Sequence, residues 1–166
     1  MPETILIVDD DRAIAQLVAI RISAAGYKAL TASDSLTGLE AARLNRPDLI
    51  LLDIRMPEMD GFEFHRRLKE IPELAHTPVI FISANSQEAA RRKALISGAR
   101  YYLTKPYEPH ELVGAVRAVL PGPRSDTASA QRCIVDTYDA PVPAGRKLKN
   151  EAIDENASGQ GLDRRR

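Results

Sequence analysis

Short, solidly apolar runs recur along this chain, Ile5-Leu6-Ile7-Val8, Leu49-Ile50-Leu51-Leu52 and Val79-Ile80-Phe81-Ile82, with amphipathic stretches between them. A strand with one wet face must alternate apolar and polar residues, and these runs do not alternate. They fit strands covered on both faces, the situation of a parallel sheet with helices above and below it. Strands are expected near 4–9, 27–32, 49–53, 78–82 and 100–104, with helices between and after them.

The first helix follows an acidic corner, carries Ile14, Leu17, Val18 and Ile22 at helical spacing, and stops at Gly26, which suits a left-handed C-terminal position. The second is expected from Asp34 to Asn45, capped by Ser33 or Asp34 and closed by Pro47. The third opens near Asp60-Gly61 and packs Phe64 and Leu68; the last carries Leu112, Val116, Val119 and Leu120 and ends at Pro121-Gly122-Pro123. The fourth, over 86–97, is different. Gln87, Glu88, Arg91, Arg92 and Lys93 leave it Ala89, Ala90, Ala94, Leu95 and Ile96 to bury, so its hold on the sheet should be weak. Five such β/α repeats make a doubly wound α/β sheet, whose ligands bind outside the carboxyl ends of the strands where strand order reverses.

With 166 residues and 44% hydrophobic content, the chain can hold one domain with a core and a surplus. The surplus is 122–166, where Pro, Gly, Ser, Asn and Asp dominate and Ile134, Val135, Tyr138 and Val142 make up a small apolar patch. The domain is therefore expected over 1–121, and 122–166 as a mostly disordered tail. The 23 basic and 23 acidic side chains cancel, so no net field draws the protein to nucleic acid or an anionic membrane. One cysteine, Cys133, and three histidines exclude an internal disulfide and a zinc cluster, which points to a reducing compartment. No basic, apolar leader precedes Ile5, and no apolar run approaches the roughly 20 residues that span a bilayer. A soluble, cytoplasmic protein is expected.

The strand ends carry the chemistry. Asp9 and Asp10 follow the first strand, Asp53 the third, Ser83 the fourth, and Lys105-Pro106 the fifth. Three carboxylates brought to one sheet edge would repel and take up protons unless a cation neutralised them. Mg²⁺ fits, since it prefers oxygen ligands and needs one or two protein carboxylates. Asp10 and Asp53 can be direct ligands, Asp9 can act through water, and Asp11 is better placed to start the first helix. Asp53, held by the turn-rich Met56-Pro57-Glu58-Met59-Asp60-Gly61, can serve as a nucleophile toward phosphorus. Lys105 could cross the edge to pair with it, and a cis bond to Pro106 would aim the lysine inward.

In this order the residues resemble the receiver domain of two-component response regulators, over residues 3–121. The resemblance implies a flavodoxin-like (βα)5 fold with strand order 2-1-3-4-5, for which a chemotaxis receiver is a standard example. It makes Asp53 the phosphoacceptor, Asp9 and Asp10 the acidic pair, and adds the backbone carbonyl of Arg55 to the Mg²⁺ ligands. Lys105 and Ser83 stand at the positions that meet the phosphoryl group, and Tyr102 at the switch aromatic, which would occupy space vacated by Ser83. Arg55 and Asn85, each two residues past a site residue, would tune phosphoryl lifetime. The implied partners are a histidine kinase or a histidine phosphotransfer protein and a downstream protein target. The face made by the fourth helix, last strand and last helix would signal, and could support a homodimer.

With no effector domain evident in 122–166, the receiver could be a phosphate sink or shuttle in a multistep relay. A Mg²⁺-dependent aspartyl-phosphate phosphohydrolase would need an acid two residues after Asp53, where Arg55 stands. A nucleotide-binding flavodoxin relative would need a glycine- and hydroxyl-rich phosphate loop, and Asp9-Asp10-Asp11 would repel a phosphate there. Arg146-Lys147-Leu148-Lys149 and Arg164-Arg165-Arg166 invite a nucleic-acid reading of the tail, but seven acids share it.

Overall fold

The computed structural model describes residues 1–120. Five parallel strands, β1 (Thr4–Val8), β2 (Lys28–Ala32), β3 (Leu49–Asp53), β4 (Val79–Ser83) and β5 (Tyr101–Thr104), alternate with α1 (Arg12–Ala24), α2 (Ser35–Asn45), α3 (Gly61–Lys69), α4 (Glu88–Ile96) and α5 (Pro109–Val119). The sheet order is β2-β1-β3-β4-β5, as expected. The tail expected over 122–166, with Cys133 and both basic clusters, lies outside the described residues.

The uninterrupted apolar runs are explained by two cores. Along β1, Leu6 and Val8 enter a cluster with Phe64, Leu68 and Phe81, while Ile5 and Ile7 face the other way into a cluster with Val18, Ile22, Leu112 and Val116. β3 and β4 are buried along their whole length, so both side-chain directions must be apolar.

Three of the helices, α1, α2 and α3, begin at aspartate caps. The Asp11 side chain accepts from the amides of Ala13 and Ile14, Asp34 from Thr37, and Asp60 from Glu63. Each such cap is worth about 1 kcal/mol. Of the two candidates for the second helix, Asp34 is the cap. Gly26 adopts φ +96° after α1, as a left-handed stop requires.

Several expectations fail at the edges. Leu17 is 48% exposed, because α1 turns Ala15, Val18 and Ile22 to the sheet and a face one residue wider finds nothing to cover it. In α4 the buried residue is Ala94, while Leu95 and Ile96 are 40% and 81% exposed. Leu120 follows α5 in extended conformation rather than extending the helix. Among the described residues no helix is long and apolar enough to cross a membrane.

Candidate functional site

β1 and β3 are neighbours at the centre of the sheet, paired from Ile5↔Leu49 to Val8↔Leu52. Their connections leave in opposite directions from this point, which opens a crevice at the carboxyl edge. Asp53 ends β3 and Asp9 and Asp10 follow β1, so carboxylate oxygens of all three lie within 4.8 Å of one another. Asp9 and Asp53 are buried, whereas Asp10 is exposed. Lys105 closes the group from β5. Its Nζ lies 3.2 Å from Asp9 Oδ2 and 3.4 Å from Asp53 Oδ1, and the Lys105–Pro106 peptide is cis.

The electrostatics are those of a crowded anionic pocket. Burial pushes the Asp53 carboxyl up to about 6; the Lys105 ammonium opposes this, and the charges of Asp9 and Asp10 add to it. Burial works to lower Lys105, but the Asp53 and Asp9 carboxylates outweigh it and hold the ammonium above its usual range. One ammonium thus faces three carboxylates. A hard divalent cation on the open side fits this all-oxygen donor set, since its charge would offset the burial that lifts Asp53 and the repulsion that adds to it.

The loop after β3 is fixed by contacts that keep Asp53 in place. The Ser35 hydroxyl, buried at the start of α2, donates to Met59 O at 2.7 Å. Gly61 N donates to Ile54 O at 2.9 Å, and a Cβ on Gly61 would sit 2.6 Å from Asp53 O. Any larger residue would push α3 away from the end of β3. Arg55 and Glu58 are exposed on this loop, Glu58 at φ +67°.

Beyond the carboxylates, Ser83 and Tyr102 meet at the backbone of one residue, Asn85. Ser83 Oγ, buried, accepts from Asn85 N at 3.1 Å, and Tyr102 Oη donates to Asn85 O at 2.6 Å. Asn85 Oδ1 accepts from Gln87 N at 2.9 Å, tightening the turn into α4. The Tyr102 ring is already buried in the core while Ser83 holds Asn85. Its hydroxyl has a backbone acceptor inside, and the Arg91 guanidinium lies 6.0 Å from its ring centroid.

Asp9 has a second duty, since its Oδ1 accepts from Asp11 N at 2.9 Å and so shapes the corner into α1. Ser35 was not legible as a site element, because it acts through a hydrogen bond to Met59 O that spans 24 residues and leaves no local pattern.

A family model, the response regulator receiver domain, matches residues 5–117. The chain belongs to the response regulator receiver family. This receiver is 41% identical over 116 residues to the DNA-binding dual master transcriptional regulator RpaA of Synechocystis sp., a match covering 70% of the chain and 48% of RpaA. It is 39% identical over 118 residues to the phosphate regulon regulatory protein PhoB of Pseudomonas aeruginosa, covering 71% and 52% respectively. The chain thus spans about half the length of these curated relatives. Among solved structures, the chemotaxis response regulator CheY4 of Vibrio cholerae aligns with TM-score 0.69 and 31% identity over 72% of this chain and all of that one. Receiver domains of this family are phosphoacceptors in two-component signalling and interact with histidine kinases and downstream effectors.

Proposed function

We propose that this receiver is a phosphorylation-operated switch in which Asp53 takes a phosphoryl group from the phosphohistidine of a histidine kinase or histidine phosphotransfer protein. The observation that carries the reading is the position of Asp53, buried between two acids and within 3.4 Å of one ammonium. Asp53 Oδ attacks phosphorus in line; the new P–O bond forms as the P–N bond breaks, and the imidazole leaves with the electron pair. Lys105 meets the transferring oxygens and offsets the negative charge that gathers there. The carboxylates of Asp9, Asp10 and Asp53 with the Arg55 carbonyl would hold Mg²⁺, which supplies further charge neutralisation when bound.

A phosphoryl group adds about −1.5 to −2 charges and strong acceptor oxygens. Ser83 is then the near donor. Turning its hydroxyl toward the phosphoryl group releases Asn85 N, loosening a residue that Tyr102 holds through its carbonyl. Arg55 and Asn85 stand at the mouth and set how readily water reaches the phosphoryl group. The outcome is a population shift at the face of α4, β5 and α5, read by a downstream protein or by a second copy.

The deciding experiment is intact mass after incubation with acetyl phosphate and Mg²⁺. A gain of one phosphoryl group is expected, lost in Asp53→Asn and in EDTA. A gain that persists in Asp53→Asn would overturn the assignment of the phosphoacceptor. Transfer from a phosphorylated kinase domain is the second arm, and no transfer in either arm would overturn the reading.

A further inference from the structure

The two ends of α4 are fastened very differently. At its N-terminus, Gln87 makes no side-chain cap, and the helix joins the site through the Asn85 backbone. At its C-terminus every interaction is in place. Ala99 N donates to Ala94 O and Gly98 N to Leu95 O, with Gly98 at φ +92°, a complete left-handed helix stop. Ser97 Oγ donates to Ala94 O at 2.7 Å and lies 3.4 Å from Nδ1 of buried His65 on α3. Lys69, the last residue of α3, donates from Nζ to Ser97 O at 2.6 Å, placing a cation at the negative end of the α4 dipole. The same ammonium fills the space where a side chain at residue 98 would begin. Farther up the helix, Lys93 Nζ sits 4.2 Å from the Phe62 ring centroid of α3.

We propose that Lys69 and Ser97 form a fixed hinge between α3 and α4, so that α4 pivots about its C-terminal end and its site-facing end answers the chemistry at Asp53. The proposal rests on the switch reading above. With one buried residue, α4 has little core packing to hold it in one orientation. A helix tied at one end and released at the other converts a small displacement of the Asn85 backbone into rotation. Lys69 and Ser97 are positioning residues here: neither touches the carboxylates, and each acts through the helix it holds.

The test is amide hydrogen exchange on the full chain with Mg²⁺, with and without beryllofluoride, a phosphoryl mimic already used to activate the receiver domain of DrrB, which resembles this one in structure. In the wild type, beryllofluoride should change exchange at 84–92 and leave 96–99 unchanged. In Lys69→Met, which keeps the aliphatic stem of an exposed side chain, basal exchange at 97–99 should rise about fivefold. The beryllofluoride response should then spread to 96–99, and Lys69→Arg should restore the confined response. A structural contact without a hinge role would alter basal exchange and leave the extent of the response as it was. A wild-type response at 96–99 as large as at 84–92 would overturn the hinge alone. Changes absent even at 9–11 and 53–56 would overturn the switch reading and the hinge with it.

Discussion

α3 and α4 invite comparison because they share so much: nine residues each, each following a fully buried strand, each lying beside the other over one face of the sheet. α3 buries Gly61, Phe64, His65 and Leu68 and is capped by Asp60; α4 buries Ala94 and has no side-chain cap. The difference divides the labour. α3 must not move, because its first residue presses on the carbonyl of Asp53, whereas α4 can be released at low cost because little apolar area is lost when it shifts.

The comparison breaks most visibly in the core. Phe64→Ala should cost about 3–5 kcal/mol in denaturant unfolding, since the ring is wholly buried in the cluster with Leu6, Val8 and Phe81. A cost below 1 kcal/mol would mean that α3 is no better anchored than α4.

Acid should loosen α3 next. Burial, aided by Lys69, lowers His65 to about 4, below its unfolded value near 6.5. The folded state therefore resists proton uptake, and stability present above pH 6.5 is lost as pH falls toward 4, by about 2–3 kcal/mol. Asp53 works in the opposite sense in metal-free protein. Its folded value of about 6 lies above 3.8, so its ionisation destabilises the fold above pH 6 and that cost is relieved as pH falls toward 4. The two nearly cancel in the wild type. Asp53→Asn in EDTA should be about 2 kcal/mol more stable at pH 7 and should reveal a steep loss between pH 6.5 and 4. A flat profile in that variant would show that His65 does not oppose protonation.

Gly61→Ala sharpens the contact between α3 and the site. A Cβ 2.6 Å from Asp53 O and 2.9 Å from Ile54 Cα meets backbone that cannot yield, so about 1–3 kcal/mol of stability should be lost and phosphorylation should slow with it. Loss of stability with an unchanged rate would uncouple the helix from Asp53. Smallest of all, Ile96→Ala on α4 should change stability by less than about 0.5 kcal/mol, its side chain being mostly in solvent. A larger cost in the isolated chain would mean that this face of α4 is covered in solution.

What was readable from sequence follows the range of the forces involved. The strand runs announce two cores because burial on both faces leaves no room for a polar residue, and Asp11 and Asp60 announce helix starts because capping is local. Asp9, Asp53 and Lys105 could be grouped because parallel strands deliver their ends to one edge. The failures lie where neighbours decide. Leu17 and Ile96 look like core on a helical wheel, but how wide a stripe the sheet can cover depends on what packs beside it. His65 sits at the same face as Leu68, three residues on, a spacing that could have marked it as buried. The bond from Lys69 to Ser97 spans 28 residues and leaves no trace in either local pattern.

The strand order has one more consequence. The three carboxylates come from β1 and β3 at the middle of the sheet, while Ser83, Tyr102 and Lys105 come from β4 and β5 toward one margin. The two groups can therefore be altered in part separately. Exchanging Ser83 or Tyr102 on the margin leaves the three carboxylates and their ammonium in place, whereas Lys105 ties that margin to the pocket itself.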